Sequence, residues 1–178
     1  MMEEIAYPFD RTVPEENTME IVPEIHWMRM PLPYVLNHVN IWLLKDEGGW
    51  CTVDTGVTWD TGKTVWERYL GKYKLVRQIA THYHPDHVGL AGWLQERTGA
   101  PLWMTQGEYL TALAVREQLE NYSVDAMMRL FESHGLDETR LKALENRGNA
   151  YGQGCPVLPS TFHRIRDGEK ITIGSNEW

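Results

Sequence analysis

Cysteine is scarce in this chain: two among 178 residues, Cys51 and Cys155, too few for a disulfide framework. Cys51 lies in an apolar stretch that reads as a buried strand, and Cys155 in a glycine-rich loop. Packing is the first reading for Cys51. A Cys51–Cys155 bridge and a metal-ligand role for Cys155 stand as alternatives. No apolar run approaches membrane-spanning length, and the opening Met1-Met2-Glu3-Glu4 lacks the basic and apolar regions of a signal peptide. Positive charge is also short. The 17 Lys and Arg against 25 Asp and Glu give a net charge of -8 and a pI near 5.3, without a basic cluster. These absences argue against a nucleic-acid partner and a membrane partner, and the expectation is a cytoplasmic, soluble protein. A chain of this length buries one sizeable core.

What is present is concentrated in His82-Tyr83-His84-Pro85-Asp86-His87, where three imidazoles and one carboxylate fall within six residues. The apolar run Leu75, Val76, Ile79, Ala80 just before it, bounded by Gly71 and Pro85, reads as a buried strand. His82 therefore falls at a strand end. A residue that precedes proline is extended, so His84 points its ring to the same side as His82. Pro85 suits a first helical turn and carries Asp86 and His87 towards that side. Neutral imidazoles and a carboxylate suit a divalent metal, zinc first, with iron or manganese as alternatives. The competing reading is a solvated loop rich in His and Asp.

The rest of the chain divides by texture. Residues 1–18 are acidic and contain proline, which reads as an arm over the surface. Within 19–104, Ile21 to Met30 reads as one strand, interrupted at Pro23. Asn40 to Leu44 and Trp50 to Val53 flank Gly48-Gly49, a hairpin signal. Thr58 to Leu70 reads as a helix with Val65/Tyr69 and Trp66/Leu70 stacked, ended by Gly71. Asp86 to Thr98 reads as the next helix and Pro101 to Met104 as a further strand, so the order implies βαβ units in an α/β layered domain. Residues 105–148 read as three helices: one opened by the capping box Thr105-Gln106-Gly107-Glu108, one capped by Ser123 and one by Asp137. This segment is an insertion beside the core, with Met127, Met128 and Phe131 serving ordinary packing or lining a lid over a pocket. His134 reads as a helix-end cation. Residues 149–178 read as a loop and a final hairpin, His163 to Ile165 and Lys170 to Ile173 around Asp167-Gly168.

The string His82-x-His84-x-Asp86-His87, followed by Gly89, resembles the HxHxDH motif of the metallo-β-lactamase superfamily. Thr52-Val53-Asp54-Thr55-Gly56 is similar to that superfamily's strand-ending Asp-Thr-Gly element. Leu32-Pro33-Tyr34, Asn37-His38-Val39-Asn40 and Ile41-Trp42-Leu43-Leu44 resemble the opening strands of its glyoxalase II-like hydrolases. The resemblance runs from about Ile21 to Met104 and implies half of an αββα sandwich, a mixed sheet with flanking helices, plus the three-helix insertion. It implies a metal-dependent hydrolase in which a metal-bound hydroxide attacks the carbonyl of a thioester or ester, a small-molecule substrate. His82, His84, Asp86 and His87 would be metal ligands, with Asp86 also orienting the hydroxide. Asp54 would steady the ligand imidazoles from behind or, equally, cap the strand-to-helix turn. Tyr34, Asn37 and His38 would line the pocket. A lactonase, a β-lactamase or an iron sulfur dioxygenase shares the motif, and a non-catalytic metal-binding or interaction module is the rival from another class. In the superfamily a second half supplies a later His, a bridging Asp and a last His, for which this sequence has no counterpart. Two expectations follow: weak or absent activity for this chain alone, and a homodimer or higher oligomer covering the apolar sheet face that a second half would meet, an origin as a fragment of a longer natural protein, or both.

Overall fold

The computed structural model describes residues 17–33 and 35–178; the acidic arm, but for its last residues, and Tyr34 lie outside the described residues. Seven strands form one mixed sheet in sequential order. β1 (Thr18–Val22), β2 (Ile25–Pro31), β3 (His38–Asp46) and β4 (Gly49–Val53) pair antiparallel. β5 (Leu75–Ile79), β6 (Leu102–Thr105) and β7 (His163–Ile165) extend the sheet in parallel. The change of direction follows from the connections. Gly48, at φ +73°, turns β3 directly into β4, whereas a helix separates β4 from β5.

Side-chain alternation gives the sheet two apolar faces. Met28, Met30, Val39, Ile41 and Leu43 face one layer and pack with Val65 and Trp66 of α1 (Asp60–Leu70). After α1 come the single-turn helix α2 (Pro85–Val88) and α3 (Ala91–Thr98), whose Leu94 joins the same cluster. On the other face Trp27 stacks on Trp42, and Ile25, Leu44, Val53 and Ile79 form an apolar floor. The small hairpin β8 (Thr172–Ile173) and β9 (Asn176–Glu177) seats Ile171 and Ile173 on that floor.

Between β6 and β7 lie α4 (Gln106–Arg116), α5 (Val124–Ser133), α6 (Glu138–Arg147) and α7 (Ala150–Gly154). Thr105, Ser123 and Asp137 cap the first three as expected. The layered α/β architecture and mixed sheet agree with the sequence reading, and among the described residues no helix is long and apolar enough to cross a membrane.

Four local readings are corrected. The stretch Ile21 to Met30 belongs to two strands, because Glu24 adopts φ +70° and closes a hairpin after Pro23. The expected helix Asp86 to Thr98 breaks at Gly89-Leu90, where backbone crowding turns the chain. His163 to Ile165 does not pair with Lys170 to Ile173; it joins β6, and the terminal hairpin forms between Thr172–Ile173 and Asn176–Glu177 instead. Cys51 and Cys155 are both free and buried in separate clusters, so there is no bridge. Burial pushes both thiols up to about 12, which keeps them protonated.

Candidate metal centre

The histidine-rich loop lies at the carboxyl end of β5, where the parallel part of the sheet opens between β4 and β6. His84 is extended, φ -57° and ψ 143°, and Pro85 occupies the first helical position of α2, as the proline rule requires. The turn is compact because Gly89 admits no side chain. A Cβ there would lie 2.2 Å from the Pro85 carbonyl oxygen and 2.3 Å from that of Gly154. Thr55 ties the end of β4 to the same turn, its N–H donating to the His87 carbonyl at 2.7 Å and its hydroxyl to the same oxygen at 2.8 Å.

Asp54 organises the loop from beneath. It is buried and left-handed, φ +66°, a conformation that Asp tolerates better than most residues. Its carboxylate accepts the Thr81 N–H at 2.8 Å, the Thr81 hydroxyl at 2.9 Å and the His87 Nδ1–H at 2.8 Å. These bonds fix the tautomer of His82 and the orientation of His87. The single Thr81 hydroxyl proton goes to Asp54, so the Thr81 oxygen, 3.0 Å from His82 Nδ1, accepts a hydrogen bond from that ring. The His82 lone pair is therefore on Nε2, which faces His84 Nδ1 at 3.0 Å. By the same reasoning Nε2 is the outward nitrogen of His87, 3.4 Å from Asp86 Oδ2.

Electrostatics follows this layout. Desolvation, with the neighbouring His87 and His84, holds His82 below its ordinary value. The His87 hydrogen bond lowers Asp86. Burial works to lower His87, but the hydrogen bonds it donates to Asp54 and Asp86 outweigh burial and raise it to about 9. All four motif residues thus come together, the His82 and His87 rings with centroids 4.0 Å apart. They form two donor pairs, His82 with His84 and Asp86 with His87. Among the described residues no set of three His, Cys, Asp or Glu is arranged to hold an ion.

The residues fit a divalent metal as a partial shell. Two imidazole nitrogens 3.0 Å apart match the ~3.3 Å separation that a tetrahedral ion with ~2.0–2.1 Å bonds imposes. Thr81 holds His82 from behind and Asp54 holds His87, which is the backing that metal-bound imidazoles need.

The helices after β6 reach the same loop. The Tyr83 N–H donates to Glu108 Oε2 at 2.8 Å, and the Tyr151 hydroxyl donates to the Tyr83 carbonyl. The expected capping box is thus half formed: Thr105 accepts the Glu108 N–H at 3.4 Å, while the Glu108 carboxylate turns to the loop. Sequence reasoning missed Thr81, Glu108 and Tyr151. Only Thr81 carried a signal, as the polar residue joining strand and motif. A cavity of about 400 Å³ opens between His84, Trp59 and these helices. Asn37 and His38 do not line it: His38 Nδ1 sits 2.7 Å from Asn37 Oδ1 and 2.9 Å from Arg29 Nη2.

The site is thus a strand-end Asp beneath a His-rich strand-to-helix loop, on the open end of a mixed sheet. The chain belongs to the Metallo-beta-lactamase superfamily, whose family profile matches residues 34–160. Among solved structures, it is similar to a Beta-lactamase domain protein from Burkholderia ambifaria, at 35% identity and TM-score 0.82 over 97% of this chain and 51% of that one. It is also similar to a metallo-beta-lactamase family protein from Thermus thermophilus, at 26% identity and TM-score 0.69 over 89% of this chain and 51% of the other. BJP-1, a subclass B3 metallo-beta-lactamase of Bradyrhizobium japonicum, shares the fold at 15% identity and TM-score 0.51, over 93% of this chain and 51% of that one. The chain spans about half the length of these structures. No curated protein sequence matches it.

Proposed function

We propose that the chain carries half the divalent-metal apparatus of a hydrolase that cleaves thioester or ester-type carbonyls, the glyoxalase II-like branch of the superfamily. The observation that carries this reading is the His82 Nε2–His84 Nδ1 pair at 3.0 Å, with the opposite nitrogen of His82 held by Thr81. His82 and His84 would hold one ion, and Asp86 with His87 would supply part of the shell of a second. When bound, a divalent ion supplies a water acidic enough to ionise near neutral pH and polarises the substrate carbonyl. The chain's own residues do the positioning. Asp54 holds His87 through Nδ1 and His82 through Thr81, so the outward nitrogens keep their direction. Asp86, half-buried beside His87, stays ionised and available to orient an attacking water. Zinc suits this donor set best; iron would favour the sulfur dioxygenase, and hydrolysis of a lactone or β-lactam would place the chain in those branches.

The test is metal content with turnover of a chromogenic thioester. Zinc uptake that falls sharply in His84→Ala, with weak turnover falling alongside it, is the expected result. Absence of uptake, or turnover indifferent to His84→Ala, would overturn the proposal. A second reading, a non-catalytic metal-binding or interaction module, draws on the lack of a three-donor set among the described residues. Uptake of metal with no turnover of thioester, lactone or β-lactam would favour it.

A further inference from the structure

The cavity beside His84 holds about 400 Å³, within the ~300–1,000 Å³ usual for small-molecule sites. One wall is the ligand loop, Tyr83 to Pro85. Trp59 stands on a second side, and Val124, Met127 and Leu144 of α5 and α6 form the apolar part of a lining that also includes Gln118, Ser123 and Asn149. Apart from His84, the one charged residue among the described lining residues is Arg147. Its side chain is exposed and has no hydrogen bond or ion pair with a described residue; Arg129 and Arg166 share that state, but neither lines the cavity. Arg147 is in the last turn of α6, where a cation complements the helix end. That accounts for a basic residue there, but not for one lining an apolar cavity unpaired in a chain of net charge -8.

We infer that this cavity is the substrate subsite, and that it selects an ester or thioester whose acyl chain is apolar along its length and ends in a carboxylate. The chain lies against Trp59, Met127 and Leu144, the far carboxylate meets the Arg147 fork, and the scissile carbonyl is left at the His84 end. An arginine fork matches a carboxylate with two parallel hydrogen bonds, while apolar walls reward the methylenes between the two ends. The assignment rests on the hydrolase reading for the chemistry at His84, but the cavity and Arg147 are features of the chain alone.

The experiment is calorimetric titration of the metal-free 178-residue chain with octanoate and with octanamide, a neutral ligand of the same chain length. Octanoate should bind at least about fivefold more tightly than octanamide, and Arg147→Gln should bring octanoate down to the octanamide level. Arg147→Lys, which keeps the charge and loses the fork, should fall between. Met127→Glu, which places a charge in the apolar wall, should weaken both ligands. Equal affinity for the two ligands, no binding of either, or indifference of octanoate to Arg147→Gln would overturn the inference. Zinc content measured on the same variants separates the two proposals. Binding through Arg147 without zinc uptake retains the subsite and removes the hydrolase, and zinc uptake without octanoate binding does the reverse.

Discussion

Replacing Asp54 by Asn probes the centre at its most connected point. Asn keeps the size of Asp and tolerates the left-handed backbone found there, so the substitution removes charge with little change of shape. The carboxylate accepts from the Thr81 N–H, the Thr81 hydroxyl and His87 Nδ1–H; one Asn carbonyl oxygen cannot serve all three, and its amide group points a donor at other donors. A buried donor left without a partner costs about 1–3 kcal/mol, so about 2 kcal/mol of stability should be lost. For a domain of this size that lowers the melting temperature by about 4–8 °C. Metal affinity should fall by about 10–100-fold, the usual result of cutting the support behind a metal-bound imidazole. Thermal melting and competitive zinc titration read the two effects separately. Thr81→Val sharpens the comparison, because it leaves the Asp54–His87 bond intact and frees only the His82 tautomer. Should Asp54→Asn melt at a lower temperature yet bind zinc as before, Asp54 would be a turn cap and nothing more. If it did neither, the tautomer argument would fail.

Further outcomes are expected. Gly89→Ala places a carbon 2.2 Å from one carbonyl oxygen and 2.3 Å from another, so the α2 turn must move, at about 1–3 kcal/mol and with zinc uptake impaired; chemical denaturation and metal analysis check this. His87 must shed a proton on binding metal, so apparent zinc affinity should rise by up to about tenfold per pH unit towards pH 9 and then level off, as titration with a competing chelator would show. With its folded value raised from 6.5 to about 9, His87 also stabilises the metal-free chain fully below pH 6.5, and that contribution disappears as pH rises through 9. The apolar floor of Ile25, Trp42, Val53 and Ile79, only partly covered by Ile171 and Ile173, should bring two copies together. Light scattering giving a dimer mass is the expected result, and a monomer at high concentration would refute it.

Much of the fold was legible because local rules govern it. Gly48 marks its hairpin through a positive φ, Pro85 starts its helix, and Thr105, Ser123 and Asp137 announce theirs through side-chain caps. The motif residues were legible for the same reason, since six consecutive positions at one corner can point only a few ways. What escaped was non-local. Nothing near His163 indicates that it pairs with Trp103, 60 residues upstream, instead of the strand that follows it. Glu108 looked like a capping-box residue because its neighbours in sequence permit that bond, while its actual partner, Tyr83, comes from another element. At the break, Gly89 packs closely against carbonyls of Pro85 and Gly154, the second of which is far along the chain.

Tyr83 stands between the two histidines, and both of its backbone polar groups are gripped from one region of the chain, the N–H by Glu108 and the carbonyl by Tyr151. The two peptide planes that flank Tyr83 are thus each tied to the helical region, through α4 and α7, so these helices brace the backbone that carries both imidazoles.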